Sequence, residues 1–118
     1  MQSKKAEQIA LEIINEMVGF FGDRMNNPAI HDVTDEPYQM FNITLEAYNY
    51  FYLTFSYNRG SIGCSVVQGK FGIDLENSQQ WYDKVDMNMF LKELQQQLEL
   101  RIPDKFLEYN GWKWAWNN

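Results

Sequence analysis

The chain has a single histidine, His31, which is followed directly by Asp32, and a single cysteine, Cys64. A His–Asp pair can move a proton in acid–base catalysis. Adjacent residues seldom face each other, however, and no nucleophile stands at a motif spacing from this pair, so His31 reads as a surface histidine. A thiol becomes reactive beside a His or Lys. Cys64 has Ile62 and Val66 as same-face neighbours and no such residue close by, which describes a buried, inert thiol.

Asp74 and Glu76 are two residues apart in an extended pattern and share one strand face. Carboxylates about 7 Å apart can cleave glycosidic bonds, but 118 residues are few for a sugar cleft. A zinc site needs three or four His, Cys or acidic ligands at set spacing. A calcium loop needs alternating acids, a central glycine and a closing glutamate. The acid-rich segments 23–37 and 71–86 have neither order. Gly60, Gly63, Gly69 and Gly72 are scattered through strand and turn patterns and form no phosphate-cradling loop before a helix. No catalytic residue, metal or cofactor is expected, and the chain does not read as an enzyme.

What the chain has in quantity is contact-making side chains: 7 Tyr, 8 Phe and 4 Trp. Tyr50 and Tyr52 fall on the outward face of an alternating segment, with Thr54 and Ser56. Tyrosine combines rigid area with a hydroxyl and is favoured at interfaces. Trp81 and Tyr82, beside Asp83, form a second aromatic-plus-acid spot. Trp112, Trp114 and Trp116 alternate at the C-terminal end, where they either close over the core or present anchors.

The net charge of −6 argues against a nucleic-acid backbone as ligand, since phosphates demand a basic surface. Segments 23–37 and 71–86 each carry −3, while 1–22 carries −1, 38–70 carries +1 and 87–118 is neutral. Such an acidic rim can steer a basic partner and speed encounter. Glu7, Glu12 and Glu16 break up the N-terminal region, so it does not read as a signal peptide, and no stretch reaches membrane-spanning length. The expected compartment is the cytoplasm, where a lone thiol stays reduced.

These residues need elements to hold them. Ile9, Ile13, Met17, Phe20 and Phe21 recur at helical spacing, predicting a helix over 4–21 that ends at Gly22. Within it, Gly19 either weakens the helix or admits a close neighbour. Residues 23–37, with two Asn, two Pro and three Asp, read as a long loop. Phe41, Ile43, Leu45 and Ala47 predict a strand over 38–47; Phe51, Leu53, Phe55 and Tyr57 predict another over 50–57. Tyr48-Asn49 reads as a tight turn between them and Asn58-Arg59-Gly60 as a hairpin turn. A third strand over 61–68 buries Ile62, Cys64 and Val66, and Phe71, Ile73 and Leu75 suggest a fourth. Asp86 caps a helix running to about Arg101, with Val85 and Phe90 spaced as a hydrophobic staple; a short helix then starts at Pro103. The fold class is therefore α+β: one domain over 1–118, an antiparallel three- to four-stranded meander with N- and C-terminal helices packed on one face, a two-layer sandwich.

A small, acidic, aromatic-rich α+β domain in helix–meander–helix order, with exposed Tyr and Trp beside Asp and Glu, resembles the immunity proteins that neutralise bacterial toxins. These include the proteins of contact-dependent growth inhibition and other polymorphic-toxin systems. The resemblance lies in the general character of the whole chain. It implies a tight one-to-one complex with a cognate toxin domain, often a basic nuclease, with the acids blocking its active site or substrate groove. The expected contact residues are Tyr50, Tyr52, Asp74, Glu76, Trp81, Tyr82 and Asp83. Neither nucleic acid nor membrane is an expected partner, and the protein is expected as a monomer or weak homodimer. Two alternatives stand beside this: a small-molecule binder or enzyme with a pocket near the 23–37 loop, and an adaptor that self-associates through the C-terminal tryptophans.

Overall fold

The computed structural model describes residues 4–68, 71–74 and 80–113, with the backbone alone for Gln68 and Phe71–Asp74. Helix α1 (Ala6–Phe21) leads through a 3-10 turn (Gly22–Arg24) into the strands β1 (Met25–Thr34), β2 (Met40–Ala47), β3 (Phe51–Asn58), β4 (Ser61–Gln68), β5 (Phe71–Asp74) and β6 (Gln80–Trp81). The helices α2 (Met87–Glu99) and α3 (Asp104–Tyr109) follow. The strands form one antiparallel sheet in the order β1-β2-β3-β4-β5, so each strand lies beside its neighbour in sequence. The outer edge of β4 is shared: β5 pairs with its Ser65–Gln68 end and β6 with Ser61 and Ile62.

The two-layer α+β architecture is as the periodicities predict, with two strands more, the edge strand β1 and the short β6. Residues 25–34 are not loop but an edge strand. Pairing with β2 is interrupted between Asn26 and Ala29 and again between His31 and Thr34, and Asn27 and Asp32 take positive φ values of 54° and 56°. These bulges destroy the alternation by which a strand is read from sequence.

Turn chemistry sets the register of the other strands. Tyr48 and Asn49 both have positive φ (59° and 51°), and the Tyr50 N–H donates to the Ala47 carbonyl at 3.0 Å. That primed turn matches the twist of the flanking strands. The β3–β4 turn repeats it with Arg59 at 54° and Gly60 at 91°. Arg59 lies over the Tyr38 ring at 3.7 Å and its N–H donates to the Gln39 carbonyl, which ties the β1–β2 connection to this turn.

One face of the three central strands is buried: Phe41, Ile43, Leu45 and Ala47 from β2, Leu53, Phe55 and Tyr57 from β3, and Ile62, Cys64 and Val66 from β4. Helix α1 covers it with Ile9, Ile13, Met17 and Phe21, and α2 with Phe90, Leu91, Leu94 and Leu98; all belong to one core cluster. Phe90 meets Phe55 edge-on with ring centroids 6.0 Å apart. Asp86 caps α2 by accepting from the Met89 N–H at 3.2 Å. The start of α1 is capped from a distance: the Ala6 N–H donates to Asp35 Oδ1 at 2.9 Å, and Gln39 Nε2 bonds both that carboxylate and the Lys4 carbonyl. Gly19 is exposed, and a Cβ there would have nothing within 4 Å, so it makes no close approach to another element. No described helix is long and apolar enough to cross a membrane.

Candidate protein-binding face

None of the described helices packs on the opposite face of the sheet. Strand register arranges its side chains in rows. Ala29, Thr44, Thr54, Ser65 and the backbone position of Asp74 stand opposite one another; His31, Asn42, Ser56 and Gly63 form a second row; Asn26, Glu46, Tyr52 and Val67 form a third. The middle of the face is thus small and hydroxyl-rich. Its polar groups bond to one another along the edge. His31 Nε2 lies 2.9 Å from Thr44 Oγ1, and Asn42 Nδ2 donates to Asp32 Oδ2 at 3.3 Å. Asn27 Nδ2 donates to Glu46 Oε2. His31 and Asp32 therefore bond to separate β2 side chains.

Two large rings flank this polar middle. Tyr52 is 58% exposed in one end row, and Trp81 is 56% exposed at the far corner, where it pairs with Ser61. The six residue steps from Tyr52 to Asn58, which lies in Trp81's row, set them about 20 Å apart along the strands. Charge is distributed just as unevenly. None of the six strands contains a Lys or Arg, while Asp32, Glu46 and Asp74 all lie in strands.

The expected contact residues do not all belong to this face. Tyr52 and Trp81 do. Tyr50 is in the β2–β3 turn and leans toward the helices, its ring 5.0 Å from Phe106 of α3. Tyr82 points the other way: its ring stacks edge-on against buried Tyr57 at 6.1 Å, and its hydroxyl donates to Glu16 of α1 at 3.4 Å. Burial first, then the nearby Glu16 and Glu12 charges, push its phenol up to about 12. Tyr57 is pushed up by burial and by the charge of Asp83, which is itself exposed in the turn after β6. Asp74 is placed by its backbone opposite Ser65, and Glu76 lies outside the described residues.

Two residues of the face were not among the expected contacts: Glu46 and Asp32. Glu46 was legible as outward-facing in the alternation of β2, and its pairing with Tyr52 follows once the hairpin register is fixed. Asp32 sits in a bulge with no such signal.

Most of segment 23–37, expected as a loop beside a small-molecule pocket, is the edge strand Met25–Thr34. Among the described residues, one groove of about 440 Å3 lies between α2 and α3 and one of about 380 Å3 between α1 and α2. Of the C-terminal tryptophans, Trp112 packs on Tyr48 at 5.3 Å and donates its indole N–H to Asp23 at 3.2 Å. Trp114 and Trp116 lie outside the described residues. Among the described residues, no group of three or more His, Cys, Asp or Glu is placed to hold a metal ion.

No protein-family model, no curated protein and no solved structure matches this chain.

Proposed function

We propose that this chain is a protein-binding domain without catalytic activity, an immunity or inhibitor protein that neutralises a basic toxin domain, such as a nuclease, by covering its active site or substrate groove. The observation that carries this reading is the helix-free sheet face, which has Tyr52 and Trp81 at its ends, Asp32 and Glu46 along it, and no Lys or Arg in any of its strands. Exposed aromatic anchors supply contact area at low entropic cost. Carboxylates with no interspersed cation favour a basic partner and repel acidic ones. An inhibitor of this kind needs only a preformed surface, and a sheet held on its other face by one continuous core provides it.

The test is affinity capture with the purified chain at low and high salt, run alongside two double variants. Tyr52→Ala/Trp81→Ala removes both anchors from the face. Leu100→Ala/Tyr109→Ala removes residues 77% and 90% exposed on the helical side. The expected result is one basic protein held stoichiometrically, released faster in salt, lost with the first variant and retained with the second. Equal capture by both variants, or no salt dependence, would discard the face as the binding surface.

A further inference from the structure

At one end of the open face is a notch of about 180 Å3 lined by Glu46, Asn49, Tyr50, Phe51 and Tyr52. Glu46 and Tyr52 are directly opposed across β2 and β3, so carboxylate and phenol leave the sheet side by side. Tyr50 contributes to the lining from the β2–β3 turn. Its ring is fixed edge-on by Phe51 at 5.5 Å and Phe106 at 5.0 Å, yet remains 45% exposed. Glu46 is held in place by a neutral donor, Asn27, at Oε2. The ion pairs among the described residues are Lys4–Glu12 and Lys113–Asp104, so none of the described cations pairs with Glu46.

A full negative charge beside an exposed aromatic ring, at an open cavity, is a receptor for a cation: the ring quadrupole and the carboxylate attract it together. We propose that this notch receives one arginine side chain of the partner, the guanidinium meeting Glu46 Oε1 and lying against the Tyr52 ring. Arginine fits better than lysine because its planar, weakly hydrated head stacks on rings while donating in plane to the carboxylate. This assignment rests on the protein-binding role proposed above and names the chemistry of its central contact.

The test titrates the full-length 15N-labelled chain with N-acetylarginine amide. N-acetyllysine amide and N-acetylcitrulline amide, the neutral isostere of the arginine probe, serve as comparators. Saturable shifts are expected at the amides of Glu46 and Asn49 to Tyr52, with citrulline at least about fivefold weaker. Tyr52→Ala should weaken arginine binding about two- to fivefold, the size of an exposed cation–π contact. Glu46→Gln, which keeps the shape and the Asn27 bond, should weaken it about tenfold or more. Arginine shifts spread evenly over all acidic segments, or Glu46→Gln binding as wild type, would overturn the notch, and lysine binding tighter than arginine would overturn the choice of side chain. The same Glu46→Gln chain in the capture experiment separates the two proposals. A partner held at wild-type strength by that variant removes the notch and keeps the binding face; arginine amide binding with no protein captured removes the inhibitor role and keeps the notch.

Discussion

The Tyr48 hydroxyl donates a 2.6 Å hydrogen bond to Glu99 Oε2, joining the β2–β3 turn to the last residue of α2. Tyr48 is wholly buried although it stands in a turn with positive φ. Its ring packs edge-on against Phe21 and Trp112, and its N–H donates to the Arg24 carbonyl. One side chain thus meets the end of α1, the end of α2 and the C-terminal segment. A carboxylate at a helix C-terminus is disfavoured by the helix dipole, so Glu99 depends on this donor. Tyr48→Phe should destabilise the fold by about 1–3 kcal/mol in urea unfolding, the cost of leaving a charged acceptor unpaired. A double-mutant cycle with Glu99→Gln should show coupling of about 0.5 kcal/mol or more; strict additivity would mean that the bond is not formed in solution.

Alkaline pH should weaken the fold in a defined window. Burial raises the Cys64 thiol above its ordinary 9.0, and burial followed by the Glu99 bond and charge raises the Tyr48 phenol above 10.0. Both groups then keep their proton in the folded state at pH values where the unfolded chain has lost it. Stability from them is complete below pH 9 and falls as pH rises, by up to about 1.4 kcal/mol per pH unit for each group. Urea midpoints measured from pH 8 to pH 11 should show the decline beginning near 9. Tyr48→Phe should make it shallower above 10.

Asp35 acts as a tertiary cap, since it lies in the β1–β2 connection and yet accepts from the first N–H of α1. A carboxylate there meets both the orphan N–H and the positive helix end. Asp35→Ala should cost about 1 kcal/mol and speed amide exchange at Ala6, with Asp35→Asn losing less. Unchanged exchange at Ala6 would show that the cap is not made.

Gly19 is an exposed glycine inside a helix with room for a methyl group. Gly19→Ala should raise stability by about 0.5–1 kcal/mol, read as a higher urea midpoint at unchanged slope.

Neighbouring Trp81 and Tyr82 should separate binding from folding. Trp81→Ala removes an exposed ring and should weaken partner binding with little change in unfolding midpoint. Tyr82→Ala removes a ring packed on Tyr57 and a bond to Glu16, and should lower stability by about 1 kcal/mol or more, read as a lower midpoint. The opposite pattern would reassign the binding surface to the helical side.

Much of this was readable from side-chain parity. Phe41, Ile43, Leu45 and Ala47 are odd-numbered and face the core, as do Leu53, Phe55 and Tyr57. Odd must then pair with odd, which a two-residue loop forbids and the observed three-residue connection, Tyr48 to Tyr50, satisfies. The next hairpin pairs odd with even, Phe55 with Cys64, and closes over the two residues Arg59 and Gly60. Both long helices followed from their apolar stripes, and the Asp86 cap from its position ahead of Phe90 and Leu91. Strand β1 did not, because Asn27 and Asp32 each insert a left-handed kink and Pro28 mimics a loop signal. The candidate face was half legible. Alternation placed Tyr52 correctly, but the side to which Tyr50 and Tyr82 turn is decided by Phe106 and Tyr57, which are distant in sequence.

The irregularity that hides β1 also protects it. A six-strand sheet rich in Thr, Tyr and Phe is material from which fibres grow when a free edge templates another chain. Along β1, Pro28 offers no N–H, and the kinks at Asn27 and Asp32 turn successive peptide groups out of line. An incoming strand can match only a few residues before its hydrogen bonds fall out of step. The open edge is thus poorly suited to growth, and the aromatic face can stay uncovered without its sheet recruiting copies of itself.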